Sequence, residues 1–152
     1  MVIGFRSFPD GFAYVILSGT QATPSIVAKD RVTLPNNHTW AASLSWVRKQ
    51  LCEIVQTNSP TGACIKTIEP MAKKKSVERL QIEAVIIEYL HSTKGLNCCR
   101  RIKSQLKRDI KGFTDAARYL ERVLSTSEPL QELNTPQFQE ATLAAVSELP
   151  GD

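Results

Sequence analysis

Apolar positions recur along the chain with two different periods, which separate predicted strands from predicted helices. In the first 34 residues, short apolar runs are divided by turn residues such as Pro9-Asp10-Gly11, a pattern that predicts antiparallel strands. After that point, apolar residues recur every three or four positions, as in amphipathic helices. The pattern predicts strands at residues 2–8, 12–17, 25–34, 63–68 and 96–99, and helices at 40–56, 76–93, 115–124 and 135–149, with a short helix within 100–113.

The order of these elements predicts an α/β fold. Three strands joined by tight turns form an antiparallel meander, and right-handed strand–helix–strand crossovers then add two parallel strands. We therefore expect a mixed five-stranded sheet with helices on both faces. A chain of 152 residues is long enough to bury roughly two-thirds of its unfolded surface, so we expect a single domain over residues 1–152.

The apolar runs are too short to cross a bilayer, which requires about 20 consecutive apolar residues. Pro9 and Asp10 interrupt the first apolar stretch, and no basic leader precedes it. We therefore expect no signal peptide and a cytoplasmic location.

The cysteines and histidines do not form a recognisable metal or catalytic pattern. They are Cys52, Cys64, Cys98, Cys99, His38 and His91. There is no CxxC pair, and both histidines are far from every cysteine in sequence, so we expect reduced, buried thiols and no zinc site. The two histidines suit neither a Ser-His-Asp nor a Cys-His arrangement, and no Gly-rich phosphate loop points to an ATPase or a kinase.

Charge is distributed unevenly along the chain. Residues 70–122 hold thirteen Lys and Arg against six Asp and Glu, whereas residues 123–152 hold five acidic residues and no basic ones. A basic surface could bind nucleic acid through its phosphates; alternatively, it could be an ordinary solvated face balanced by nearby acids. The residues predicted to contact phosphates are Lys73, Lys74, Lys75, Arg79, Arg100, Arg101, Lys103, Lys107 and Arg108.

Residues 63–90 contain a short apolar strand, a basic loop and a helix. Glu69 follows the predicted strand, and Ser76 can cap the helix. A carboxylate at a strand end could take part in chemistry. It could instead cap a neighbouring helix or pair with a lysine of the 73–75 run.

Several segments resemble the ribonuclease H-like superfamily, in particular its RuvC-type resolvase branch. They are Val2–Arg6, Thr67–Glu69, Leu80–Leu90, Cys98–Leu106 and Phe138–Val146. The chain is also similar to a family of small bacterial proteins of the same fold, through Glu69-Pro70-Met71 and Phe138-Gln139-Glu140-Ala141. The resemblance implies the same mixed five-stranded sheet.

The resemblance also implies a site that holds Mg²⁺ or Mn²⁺ in active members of the branch. Glu69 and Glu140 match two of their acidic ligands, but Arg6 occupies the first-strand position where an acid is expected. A guanidinium has no lone pair to give a metal, so we predict that Arg6 neutralises the site by pairing with Glu69 and Glu140. Asp10, four residues later, could replace the missing carboxylate.

Three functions remain open from the sequence. The first is a catalytically impaired RuvC-like protein, a pseudo-nuclease that binds structured DNA or RNA, or a protein partner, through its basic face. The second is a metal-dependent nuclease that uses Glu69, Glu140 and Asp10. The third is an interaction module without nucleic acid, such as a homodimer.

Overall fold

The computed structural model describes residues 1–124 and 135–151. Within these residues it forms five strands: β1 (Val2–Phe8), β2 (Gly11–Gly19), β3 (Pro24–Thr33), β4 (Gly62–Lys66) and β5 (Cys98–Arg101). In the same residues it forms five helices: α1 (Trp40–Asn58), α2 (Val77–Lys94), α3 (Lys103–Asp109), α4 (Ala116–Val123) and α5 (Pro136–Val146).

The strands form one mixed sheet in the order β3-β2-β1-β4-β5. β2 is antiparallel to both β1 and β3, whereas β4 is parallel to both β1 and β5. The predicted α/β class and the mixed five-stranded sheet are therefore confirmed. The two central strands, β1 and β4, run in the same direction, so their carboxyl ends lie at one edge of the molecule.

Both faces of the sheet are covered, which explains why β1 is almost continuously apolar. Ile3 and Phe5 pack with residues of α1 and α2 on one face. Val2 packs with residues of α3, α4 and α5 on the other face. Because side chains alternate along a strand, Gly4 and Arg6 point to the α5 face together with Val2.

Capping residues determine where α2 begins and ends. The Ser76 hydroxyl accepts a hydrogen bond from the backbone N–H of Arg79, and Gly95 ends the helix in the left-handed region with φ 62°. Both signals were predicted from the sequence. The helix start at Ser76 leaves Lys73, Lys74 and Lys75 in the loop between β4 and α2.

Several predicted boundaries were wrong by two or three residues. β4 ends at Lys66 rather than at residue 68, and β5 is Cys98–Arg101 rather than 96–99. The register explains the shift of β5, because its four residues pair with Ala63 to Lys66 of β4. α5 ends at Val146, three residues early, and it is followed by a tighter turn in which the N–H groups of residues 148 and 149 bond to carbonyls three residues earlier. The loop predicted at 125–134 lies outside the described residues.

No helix within the described parts of the chain combines the length and the apolar composition needed to cross a membrane. All four cysteines are free thiols; Cys64 is buried, and the other three are partly buried.

Candidate functional site

The carboxyl ends of β1 and β4 bring two cations together. The parallel register pairs Phe5 with Ile65, and continuing it by one residue sets Arg6 beside Lys66. Both side chains are largely shielded from solvent, with 17% and 5% of their surfaces exposed. The centre of the sheet edge is therefore occupied by positive charge.

Arg6 joins β1 to α5. Its Nε donates to the carboxylate of Glu140, and its Nη1 donates to the backbone carbonyl of Ser7. The ion pair with Glu140 was predicted from the sequence and is present in the structure. The Glu140 side chain keeps about a third of its surface exposed, so it is neither a fully solvated residue nor a buried one.

Glu69 does not pair with Arg6, which corrects one part of the prediction. Because β4 ends at Lys66, Glu69 lies three residues beyond the strand, where its carboxylate is 2.8 Å from Lys66 Nζ. It also accepts a 2.9 Å hydrogen bond from the backbone N–H of Lys103, the first residue of α3. Glu69 thus caps a neighbouring helix, one of the alternatives open from the sequence, and its lysine partner is Lys66 rather than the 73–75 run.

These contacts determine the charge of Glu69. Burial by itself would raise the pKa of its carboxyl, but the hydrogen bonds from Lys66 and from the Lys103 backbone outweigh burial, so the pKa is lowered. Glu69 therefore stays ionised and stays attached to β4 and α3. The same lysine also donates to the carbonyl of Thr67 at 2.8 Å, which fixes the first residue of the loop.

A second ion pair lies under this centre, on α2. Arg79 and Glu83 are one helical turn apart, with Nε 3.4 Å from the Glu83 carboxylate, and Ser7 Oγ donates to the same carboxylate at 3.1 Å. Only 14% and 7% of the two side chains are exposed. The sequence predicted Arg79 as a phosphate contact and Glu83 only as one of the acids that could balance the basic face. Their i, i+4 spacing beside the apolar residue Ile82 was the signal that could have found the pair.

Burial and the nearby charge of Arg6 affect the pKa values of both members of this pair. Burial raises the pKa of Glu83, although Arg79, the Ser7 hydrogen bond and Arg6 oppose the rise. Burial also lowers the pKa of the Arg79 guanidinium, and the nearby charge of Arg6 lowers it further against the attraction of Glu83 and Glu140. Arg6 is thus close enough to disfavour the charge of Arg79.

The residues at this centre do not fit a divalent metal ion. Mg²⁺ and Mn²⁺ prefer several oxygen ligands, whereas here Glu140 and Glu69 are each held by a cation. Asp10, the predicted replacement, is exposed in the turn between β1 and β2. Among residues 1–124 and 135–151, no three or more Asp, Glu, His or Cys side chains are arranged to hold a metal.

Two groups of exposed cations flank the centre. The loop cations are Lys73, Lys74 and Lys75, and the β5–α3 cations are Arg100, Lys103 and Lys107. None of these six side chains forms an ion pair with the described residues, so their charge faces solvent.

The other predicted phosphate contacts have acidic partners. Arg101 Nε is 2.8 Å from Asp109, and its Nη2 is 3.6 Å from Glu148. Arg108 is exposed, but its Nε is 2.7 Å from the same Asp109. Asp109 therefore neutralises part of the basic block, in line with the alternative that nearby acids balance it.

An open cleft lies between α2 and the β5–α3 segment, and of the six exposed cations only Arg100 is part of its lining. Its volume is about 500 Å³, and it is lined by Thr67, Ile68, Leu80, Glu83, Arg100 and Gln105. A crevice beyond the carboxyl ends of parallel strands is a common position for ligands in α/β folds.

Comparison with solved structures decides the fold. The chain superposes on Thermus thermophilus RuvC in complex with a Holliday junction substrate with a TM-score of 0.76, at 9% sequence identity, over 96% of this chain and 90% of that one. The chain has a RuvC-like, ribonuclease H-type fold. It is also similar to the yeast mitochondrial Holliday junction resolvase Ydc2, with a TM-score of 0.65 and 10% identity over 96% of this chain and 76% of that one.

A viral protein extends the comparison. The fowlpox virus resolvase bound to Holliday junction DNA superposes with a TM-score of 0.59, at 10% identity, over 98% of each chain. No family model matches the sequence, and no curated protein sequence matches it. At such low identity, the similarity to these structures concerns the fold alone.

Proposed function

We propose that this chain is a catalytically impaired RuvC-like protein that binds structured DNA or RNA through the loop cations and the β5–α3 cations. The observation that carries the proposal is the Arg6–Glu140 ion pair, because Arg6 stands where the family resemblance implies an acid.

The impairment follows from the chemistry of metal-assisted hydrolysis. Cleaving a phosphodiester with two metals requires carboxylate oxygens that hold two cations about 4 Å apart. Arg6 and Lys66 bring positive charge to this position, and they engage Glu140 and Glu69, the two carboxylates that would otherwise be ligands. A metal ion would have to break both ion pairs, and it would be repelled by Arg6 and Lys66.

Nucleic acid is the favoured ligand because six cations of the β4–α2 loop and the β5–α3 segment are exposed and have no acidic partners among the described residues. One of them, Arg100, lines the cleft. Such a surface gains affinity from the release of counterions when it neutralises phosphates. The T. thermophilus RuvC and fowlpox resolvase structures were solved with Holliday junctions, which supports a branched or duplex ligand here.

Fluorescence anisotropy with a labelled four-way junction, a duplex and a single strand tests the proposal. We expect affinity for the junction and the duplex to fall steeply between about 50 and 200 mM salt, with a slope that reports the number of phosphates neutralised. The triple variants Lys73/Lys74/Lys75→Gln and Arg100/Lys103/Lys107→Gln should each bind more weakly and lower the salt slope by about 0.9 for each phosphate that is no longer neutralised.

The matched control removes three positive charges elsewhere. Lys49, Lys94 and Arg118 are exposed on α1, α2 and α4, and the Lys49/Lys94/Arg118→Gln variant has the same net charge as each test variant. It should bind nearly as wild type. Equally weakened binding in all three variants would mean that only net charge matters. Absence of binding at low salt, together with a concentration-dependent dimer in sedimentation, would favour the interaction module instead.

The second candidate function is a metal-dependent nuclease, which the similarity to three resolvase structures favours. It would use Glu69, Glu140 and Asp10 with Mg²⁺ or Mn²⁺. Cleavage of a four-way junction that requires Mn²⁺ and disappears in Glu69→Gln would establish it and contradict impairment. We expect no metal-dependent cleavage.

A further inference from the structure

We infer that the centre at the ends of β1 and β4 is an anion site, in which a phosphate group binds directly to Arg6 after displacing the carboxylate of Glu140. This inference goes beyond the proposed function because it concerns one phosphate and does not require nucleic acid as its source.

The charges at the centre favour an anion. Arg6, Lys66 and Arg79 meet at the carboxyl ends of the two central strands, and Arg79 Nη2 approaches the carbonyl of Lys66 at 3.5 Å. Lys66 and Arg79 stay paired with Glu69 and Glu83, so release of Glu140 leaves Arg6 as the cation of the centre without an acidic partner. Burial and the nearby charge of Arg6 both lower the Arg79 pKa, and negative charge bound at Arg6 would offset the second cause.

Arg6 is the cation that can exchange its partner. Its side chain is more exposed than Lys66 or Arg79, and its Nη2 has no hydrogen-bond partner among the described residues. A guanidinium binds phosphate through two parallel hydrogen bonds, which its single bond from Nε to Glu140 does not provide.

Glu140 is the partner that can leave. About 32% of its side chain is exposed, and Arg6 supplies its ion pair within 4 Å. Its release into water therefore requires no rearrangement of a buried carboxylate. By contrast, Glu69 also holds the first backbone N–H of α3, and Glu83 is 7% exposed, so neither is as easily displaced.

Thermal unfolding in inorganic phosphate, at constant ionic strength maintained with chloride, tests the site. A ligand that binds only the folded state raises its melting temperature, and the rise grows with the logarithm of ligand concentration above the dissociation constant. We expect phosphate, but not Mg²⁺, to stabilise the wild type. Glu140→Gln removes the competing carboxylate and should strengthen phosphate binding by about fivefold, the scale of a partly exposed ion pair.

Three variants test whether the response to phosphate depends on Arg6. Arg6→Gln should abolish the phosphate response, and Arg6→Lys, which keeps the charge but not the planar fork, should retain a weaker one. Glu88→Gln breaks the exposed Arg48–Glu88 ion pair on the far side of α2 and should respond as wild type. If Arg6→Gln does not fold, the Glu140→Gln comparison still decides, together with the shift of the Arg6 Nε–H signal in ¹H–¹⁵N spectra on adding phosphate.

The outcomes separate this inference from the proposed function. Weaker or unchanged phosphate binding in Glu140→Gln would overturn the anion site, as would stabilisation by Mg²⁺ that depends on Glu140. If inorganic phosphate also competes with duplex DNA, and Arg6→Gln lowers the duplex salt slope, the phosphate comes from nucleic acid. Phosphate binding at Arg6 without any duplex binding would retain the anion site, assign it a free phosphate or phosphorylated small molecule, and refute nucleic-acid binding.

Discussion

Gly4 of β1 lies directly beneath Ala141 of α5. A Cβ atom at Gly4 would be 2.0 Å from the carbonyl oxygen of Ala141 and 2.4 Å from the backbone nitrogen of Ala145. The missing side chain lets the helix approach the strand closely, and Glu140, the neighbour of Ala141, therefore reaches Arg6, two residues beyond Gly4. The Arg6–Glu140 ion pair thus depends on the close packing of α5 against Gly4.

Gly4→Ala should destabilise the protein by about 1–3 kcal/mol or more, because α5 must move away from β1 to accommodate a methyl group. The measurement is the free energy of unfolding in urea. Gly95→Ala is the control: it has open space around a Cβ atom but a φ of +62°, so it should cost only about 1 kcal/mol from backbone strain. Equal stability of Gly4→Ala and wild type would contradict the close packing.

Arg79→Met should cost about 3–5 kcal/mol, because it leaves the buried carboxylate of Glu83 without its counter-charge. Arg48→Met removes an arginine from the exposed Arg48–Glu88 pair and should cost at most about 1 kcal/mol. The measurement is the free energy of unfolding of each variant, determined by chemical denaturation under the same conditions. A similar small destabilisation of both would mean that water reaches the Arg79–Glu83 pair.

Glu69 and Glu83 should affect the pH dependence of stability in opposite directions. The pKa of Glu83 is raised above 4.5 by burial, so the folded state binds extra protons there, and its contribution to stability rises as the pH falls toward 4.5. The pKa of Glu69 is lowered below 4.5, so its contribution is present above 4.5 and is lost as the pH falls further.

Urea denaturation of wild type, Glu83→Gln and Glu69→Gln at several pH values between about 3.5 and 7 checks these signs. The stability of wild type relative to Glu83→Gln should increase on acidification, and its stability relative to Glu69→Gln should decrease. Parallel pH profiles for all three proteins would show that neither carboxyl changes its pKa on folding.

Cys64 should be nearly inert in the folded protein. Burial raises the pKa of its thiol to about 12, and it lies between β4 and α5 beside Ser147. Since the thiolate is the reactive form, iodoacetamide at about pH 8 should modify Cys64 only when the protein opens. Mass spectrometry of folded and urea-unfolded samples measures the rates. Equal alkylation rates in the two samples would contradict the buried position.

The sequence predicted the fold better than it predicted the site because the two depend on different contacts. Alternating and helical apolar patterns are local, so the order of strands and helices along the chain was confirmed, and Ser76 and Gly95 limited α2 as expected. The boundary of β4 was placed two residues too late because Thr67 and Ile68 continue an apolar, β-branched run. That error made Glu69 a strand-end residue and concealed the role of Lys66.

The sequence by itself determined that a cation stands at the end of the first strand, and that basic charge is concentrated between residues 70 and 122. Only the tertiary structure decided which carboxylate each cation meets: Arg6 pairs with Glu140, Lys66 with Glu69, and Arg79 with Glu83. Charge and residue type are properties of single positions. Pairing over 134 residues of chain depends on strand register and on how closely α5 packs on Gly4, and these arise only when the whole sheet has formed.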